Sequence, residues 1–233
     1  VHRVVQIGCD LPSARFAVQA AQEYAGVVAG VALHPNEAPR LAAAGRLEAA
    51  YAEIAELATH PRVRVIGESG LDYFRTREPE GQALQKQAFA AHIAWAKSHD
   101  LALVIHDRDA HADILDLLDA EGAPRRVMMH CFSGDADFAR QCLDRGFWLS
   151  FPGTVTFKAN HALREALATT PSDRLLVETD APYLTAMPLR GKPNASYLMP
   201  HTVRFLADSR GDDLAALCHT LTENASAVFG EWG

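Results

Sequence analysis

Leu101-Ala102-Leu103-Val104-Ile105-His106 is an apolar run that stops on an imidazole, and Val127-Met128-Met129-His130 repeats the arrangement further along the chain. Runs of Leu, Val and Ile of this length read as buried strands. Between them, Ala110 to Glu121 has the apolar spacing of an amphipathic helix. Strand, helix and strand without hairpin signals mean parallel strands joined by a helical crossover.

The same alternation extends in both directions. Strands are expected over Arg3 to Ile7, Val27 to Leu33, Val63 to Ile66, Leu101 to Ile105, Arg126 to Met129, Phe147 to Phe151 and Leu175 to Val177. Helices are expected over Pro12 to Tyr24, Glu37 to Thr59, Glu80 to His99, Ala110 to Glu121, Asp135 to Arg145 and Asn160 to Ala168. In the helix from Glu80, the recurrence of Leu84, Ala88, Ala91 and Trp95 predicts one apolar face.

The class is therefore α/β, either an open doubly wound sheet or a closed barrel. A doubly wound nucleotide-binding sheet carries a glycine-rich turn after an early strand, and Ile7-Gly8-Cys9-Asp10-Leu11-Pro12 has none. A TIM-type (β/α)8 barrel instead sets reactive side chains at the C-terminal ends of several strands. His34, Glu68, His106, His130 and Asp180 stand at five such ends, with Ser69 to Tyr73 read as a sharp glycine-containing turn. Seven strands are one short of the barrel, and the chain opens on a strand. The expectation is a single domain over 1–233 whose first strand and helix, on the order of 40 residues, precede Val1.

A formal net charge of -7 argues against a broadly basic surface gripping nucleic acid. No apolar run is long enough to span a bilayer. Cys9, Cys131, Cys142 and Cys218 form no paired C-x-x-C spacing, which points to a reducing cytoplasm.

Two imidazoles and nearby carboxylates suit a divalent ion such as magnesium, manganese or zinc. A lone strand-end histidine is more often only hydrogen-bonded, but His106, His130, Glu68 and Asp180 at one level of four strands form a constellation. Asp180, before the break at Pro182, is placed to accept a proton as general base or to bind metal. Arg190 and Lys192, in Leu189-Arg190-Gly191-Lys192-Pro193-Asn194 after the last strand, are candidates to hold a phosphate. An ordinary solvated loop is the alternative there.

At these residues the sequence resembles the TatD family of metal-dependent deoxyribonucleases, within the amidohydrolase-like metallohydrolases. The resemblance is carried by Gly67-Glu68-Ser69-Gly70-Leu71-Asp72-Tyr73, Ile105-His106-Asp107-Arg108, His130-Cys131-Phe132-Ser133-Gly134, Glu178-Thr179-Asp180-Ala181-Pro182-Tyr183-Leu184 and Arg190-Gly191-Lys192-Pro193-Asn194, in the family's order. It implies two divalent metal ions (magnesium, manganese or zinc), with Glu68 bridging them, His106 and His130 completing one site and Asp180 serving the other. The family's His-x-His pair at the end of the first strand has no counterpart, and His2 precedes its strand. Only one metal site is then complete in this chain. His34, in Val31-Ala32-Leu33-His34-Pro35, also matches a family motif, with contact to substrate and a hydrogen-bonding supporting role both open.

The activity so implied is hydrolysis of phosphodiester bonds in DNA, exonucleolytic, on single strands or ends, with Asp180 and Glu68 catalytic and Tyr73 bordering the nucleotide. No membrane and no obligate protein partner is inferred. Two alternatives stand beside it: an amidohydrolase acting on a small cyclic amide, lactone or ester, and a catalytically inactive truncated barrel that binds a partner.

Overall fold

The structure, a computed structural model, describes residues 2–232. Among these, β1 (Val4–Gly8), β2 (Val27–Val31), β3 (Val63–Asp72), β4 (Ala102–Arg108), β5 (Val127–Met129), β6 (Trp148–Phe151) and β7 (Leu175–Val177) follow one another through one sheet in sequence order. Helices intervene between successive strands, and the paired strands whose register is resolved run parallel. This is the strand order of a TIM-type barrel.

The chain divides into two compact units, one spanning residues 2–128 with the C-terminal segment from Phe229, the other Met129–Val228. In the first, β2 is apolar throughout, with Val28, Ala29 and Val31 fully buried, because helices cover it. Helix α1 (Leu11–Glu23) packs on β1 and β2, and its start is set chemically. The Asp10 carboxylate accepts from Ser13 N–H at 2.9 Å while the Ser13 hydroxyl accepts from Asp10 N–H at 3.1 Å, so two helix-end donors are satisfied reciprocally.

The sequence reading needs three corrections in this unit. The expected helix over 37–59 is two, α2 (Glu37–Ala43) and α3 (Leu47–Leu57), because Gly45 adopts φ +65° and turns the chain. Strand β3 does not stop before Glu68 but continues to Asp72, pairing Ser69 with Ile105 and Gly70 with His106 after a register shift. The expected turn is thus a strand irregularity: a Cβ on Gly70 would lie 2.0 Å from the His106 carbonyl oxygen, so glycine permits the close approach. Finally, α4 (Pro79–Ser98) buries Gln85, Ala88, Phe89, His92, Ile93 and Ala96, leaving Leu84, Ala91 and Trp95 at the margin. Its inward face includes two polar residues, which an apolar count passes over.

In the second unit, β6 and β7 pair in parallel from Leu149↔Leu175 to Phe151↔Val177. Four helices accompany them: α6 (Ala136–Asp144), α7 (His161–Thr169), α8 (Met199–Arg210) and α9 (Leu214–Phe229). Helix α5 (His111–Glu121) belongs to the first unit. The last two helices were not anticipated. The buried Asn224 of α9 donates to the Ser172 and Leu175 carbonyls at 2.7 and 2.8 Å, which fixes that helix against the start of β7.

His92, fully buried in α4, has one possible protonation pattern. Its Nε2 accepts from Leu33 N–H at 3.0 Å, so Nδ1 carries the proton and donates to the Ala88 carbonyl at 2.6 Å. Burial pushes its pKa down to about 4, outweighing the Ala88 bond that favours protonation. The unfolded chain protonates this histidine below roughly pH 6.5. Stability carried by neutral His92 is therefore complete above that pH and is lost as pH falls toward 4. Between about pH 7 and about pH 5, urea unfolding of the wild type loses on the order of 2 kcal/mol more than that of His92→Gln. Equal losses would separate His92 from acid stability.

Candidate metal centre

In the first unit the shifted β3–β4 register brings a carboxylate against an imidazole. Glu68 Oε1 lies 2.5 Å from His106 Nδ1, and Asp72 Oδ2 lies 3.5 Å from His106 Nε2. The ring thus sits between two carboxylates. Asp72 is 1% exposed and accepts from Asn36 Nδ2 and Arg75 N–H, both at 2.9 Å. Burial raises its pKa, but hydrogen bonds from His106, Arg75 and Asn36 prevail and hold the carboxyl well below the ordinary range. The local sequence around Asp72 gives it no role; its pairing with His106 arises across strands.

His34 joins this cluster. Its Nε2 is 3.7 Å from Glu68 Oε1, and its ring meets that of His106 edge-on at 4.5 Å. One ligand atom from each of His34, Glu68 and His106 falls within 4.8 Å of the others. Yet Asn36 N–H donates to His34 Nδ1 at 3.2 Å, so the proton of the neutral ring is on Nε2, facing Glu68. Burial first, then the neighbouring His106, lower the His34 pKa to about 4, so the ring is neutral near pH 7. At 3.7 Å this Nε2–H is beyond hydrogen-bond distance of the Glu68 carboxylate and meets it only as a dipole beside a charge.

In the second unit His130 stands just past β5 and Asp180 past β7, each on a turn: Cys131 has φ +44° and Asp180 φ +55°. Such values are sparsely populated by residues other than glycine and asparagine, and they cluster at functional sites. His130 Nδ1 lies 2.9 Å from Glu178 Oε1 and its Nε2 lies 3.8 Å from Asp180 Oδ1. A carboxylate only accepts, so Glu178 keeps the proton on Nδ1 and leaves the Nε2 lone pair directed toward Asp180. Glu178 is itself fixed, accepting from Cys131 N–H at 2.9 Å and from the Ser150 hydroxyl at 2.5 Å. His130, Cys131 and Asp180 also place ligand atoms within 4.8 Å of one another.

Mixed imidazole and carboxylate donors at this density fit a first-row divalent ion or magnesium. Glu68 with His106, and His130 with Asp180, supply them.

The basic loop is tied to the Asp180 turn by the buried Asn194. Its amide donates to the Thr179 and Tyr183 carbonyls at 2.7 and 2.6 Å. The Arg190 guanidinium lies 4.3 Å from the centre of the Phe157 ring. Arg190, Lys192, Phe157, Pro182 and Tyr183 line an open recess of about 600 Å³. Tyr73, in the first unit, donates its hydroxyl to Asp113 at 2.5 Å, and burial followed by that bond raises its pKa.

The profile of the family described as TatD related DNase matches residues 1–230. The chain belongs to this family. It is 45% identical to an uncharacterized metal-dependent hydrolase TatD of Mycobacterium tuberculosis, over 99% of this chain and 86% of that protein. A 3'-5' ssDNA/RNA exonuclease TatD of Musicola paradisiaca is 36% identical over 95% of this chain and 84% of that protein. For the fold, the crystal structure of YjjV, a TatD homologue from Escherichia coli K12, superposes with a TM-score of 0.89 at 22% identity, covering 99% of this chain and 87% of that one.

As a TatD-family protein the chain is a metal-dependent hydrolase, and its two carboxylate and histidine groupings are able to hold metal. Glu178 and Asp72, the acidic partners of His130 and His106, lay outside the expected ligand set. Their only sequence signal was proximity to residues that did stand out. Glu178→Gln keeps the hydrogen-bonding shape but removes the charge behind His130, and weakens manganese binding, measured by calorimetry, by on the order of ten-fold. Unchanged affinity would mean that Glu178 does not tune this histidine.

Proposed function

We propose that this TatD-family hydrolase cleaves phosphodiester bonds of DNA, working exonucleolytically on single strands or strand ends, with Glu68, His106, His130 and Asp180 as ligands to two divalent ions. The reading is carried by one observation: the Asn194 amide ties a loop bearing two cations, Arg190 and Lys192, to the turn that presents Asp180. A neutral cyclic amide or lactone gives no reason for two cations there; a phosphate does. The relative described as an ssDNA/RNA exonuclease supports a single-stranded substrate.

Bound divalent ions would polarise a phosphoryl oxygen and lower the pKa of water. The chain's own residues do the rest. Arg190 takes two phosphate oxygens through its planar fork and Lys192 adds a point charge. Tyr183, 69% exposed on the wall of the recess, offers an aromatic face to a base. Tyr73 borders the nucleotide with its ring while its hydroxyl stays on Asp113. Asp180, with a side chain 31% exposed, takes the proton of the attacking water at a carboxylate oxygen. His34, its Nε2 3.7 Å from Glu68, lends an imidazole dipole beside that carboxylate without a hydrogen bond to it.

A fluorescent single-stranded oligonucleotide incubated with the protein and manganese is shortened from one end; chelator stops the reaction and added metal restores it. Glu68→Ala abolishes turnover while circular dichroism stays that of the folded chain. Full turnover by Glu68→Ala, or metal-replete wild type that leaves the oligonucleotide intact, would contradict the proposal. Arg190→Ala raises KM by about ten-fold, the weight of one charge-assisted phosphate contact; an unchanged KM would return the loop to ordinary solvated surface.

A further inference from the structure

Between β3 and α4 the chain runs Tyr73-Phe74-Arg75-Thr76-Arg77-Glu78, and β4 ends on Arg108. Strand pairing brings the two segments together: Asp72 is the register partner of Arg108, and Tyr73 N–H donates to the Arg108 carbonyl at 2.9 Å. The Arg108 guanidinium lies over the Phe74 ring, 3.8 Å from its centre, and Arg77 lies 5.9 Å from the same ring. Phe74 is 46% exposed and both arginines are exposed.

Among the described residues, Arg75, Arg77 and Arg108 form no ion pair, although the chain carries a net charge of -7. Nearby acids are committed elsewhere: Asp72 to Asn36 and His106, Asp107 to His111, and Asp113 to Lys86 and Tyr73. Asp109 and Glu78, adjacent in sequence, also leave the arginines alone. An exposed guanidinium stacked on an exposed ring is already ordered, so a ligand meets it at little entropic cost. The placement is equally specific. Arg108 follows His106, at the end of the same strand, by two residues.

We propose that Phe74, Arg77 and Arg108 form a binding platform for single-stranded nucleic acid, holding nucleotides away from the bond being cleaved. Unpaired bases stack on the Phe74–Arg108 pair and the guanidinium groups take the flanking phosphates. Duplex DNA, whose bases are already stacked on each other, gains only the phosphate part. This inference rests on the phosphodiesterase reading of the metal centre and assigns to it a subsite in the first unit.

The test compares a single strand of roughly ten nucleotides with a dinucleotide, measuring KM for each with the full chain and manganese. In the wild type the longer strand has the lower KM. Arg108→Ala and Phe74→Leu each shrink that advantage by about ten-fold, whereas Phe74→Trp keeps it, because a larger aromatic face still stacks. Arg108→Ala also flattens the dependence of log KM on log salt by about 0.7, one single-strand phosphate contact. If the wild type cleaves both substrates and the variants keep its length advantage and salt slope, the platform is overturned and the phosphodiesterase reading survives. A wild type that cleaves neither substrate overturns both.

Discussion

Each strand-end histidine in this chain is governed by a carboxylate. Glu68 meets His106 at Nδ1, with Asp72 3.5 Å from its Nε2, and Glu178 holds His130 from Nδ1. A half-buried imidazole left to itself rotates and changes tautomer, so neither its lone pair nor its proton has a defined direction. A carboxylate opposite one nitrogen removes that freedom, and a buried carboxylate in turn needs donors of its own. Asp72 finds them in Asn36 and Arg75, and Glu178 in Cys131 and Ser150. The backbone irregularities follow from the same requirement. Glycine at position 70 lets β3 approach β4 closely enough for Glu68 to reach His106, and the turns at Cys131 and Asp180 aim the second grouping.

His34 shows how such a network assigns roles among similar residues. It lies as close to the carboxylate as a ligand would, yet the hydrogen bond it accepts from Asn36 puts its proton on the side of Glu68. The same amino acid is thereby a candidate metal ligand at 106 and 130 and a supporting dipole at 34. His92 is a third kind of case, a core histidine that closes the Leu33 N–H just before His34 and links the packing of α4 to the end of β2.

Much of this was legible in the sequence. Apolar runs located the seven strands of the described residues, six of them to within three residues at either end and β3 at its start only, because short apolar runs between amphipathic stretches mark strands covered by helices. His106, His130, Glu68 and Asp180 stood out because a barrel turns strand ends into neighbours. What escaped notice depended on partners far away in sequence. Ser69 to Tyr73, with Gly70, read as a turn, since nothing local says that β4 will meet this stretch. The inward face of α4 was displaced because Gln85 and His92 are buried by virtue of bonds to Asp72, Thr76, Leu33 and Ala88. Asp72 and Glu178 went unassigned for the same reason, and the α8 and α9 segments were passed over between the basic loop and the chain end.

The proposed ligands are Glu68 with His106, and Nε2 of His130 with Asp180, with His34 in a supporting place beside them. Anomalous diffraction from crystals soaked in manganese tests this assignment directly. Anomalous density is predicted bonded to a Glu68 oxygen and a His106 nitrogen, and to His130 Nε2 and an Asp180 oxygen, with none bonded to His34 Nε2. Density bonded to His34 Nε2, or none at these four residues in manganese-saturated crystals, would contradict it.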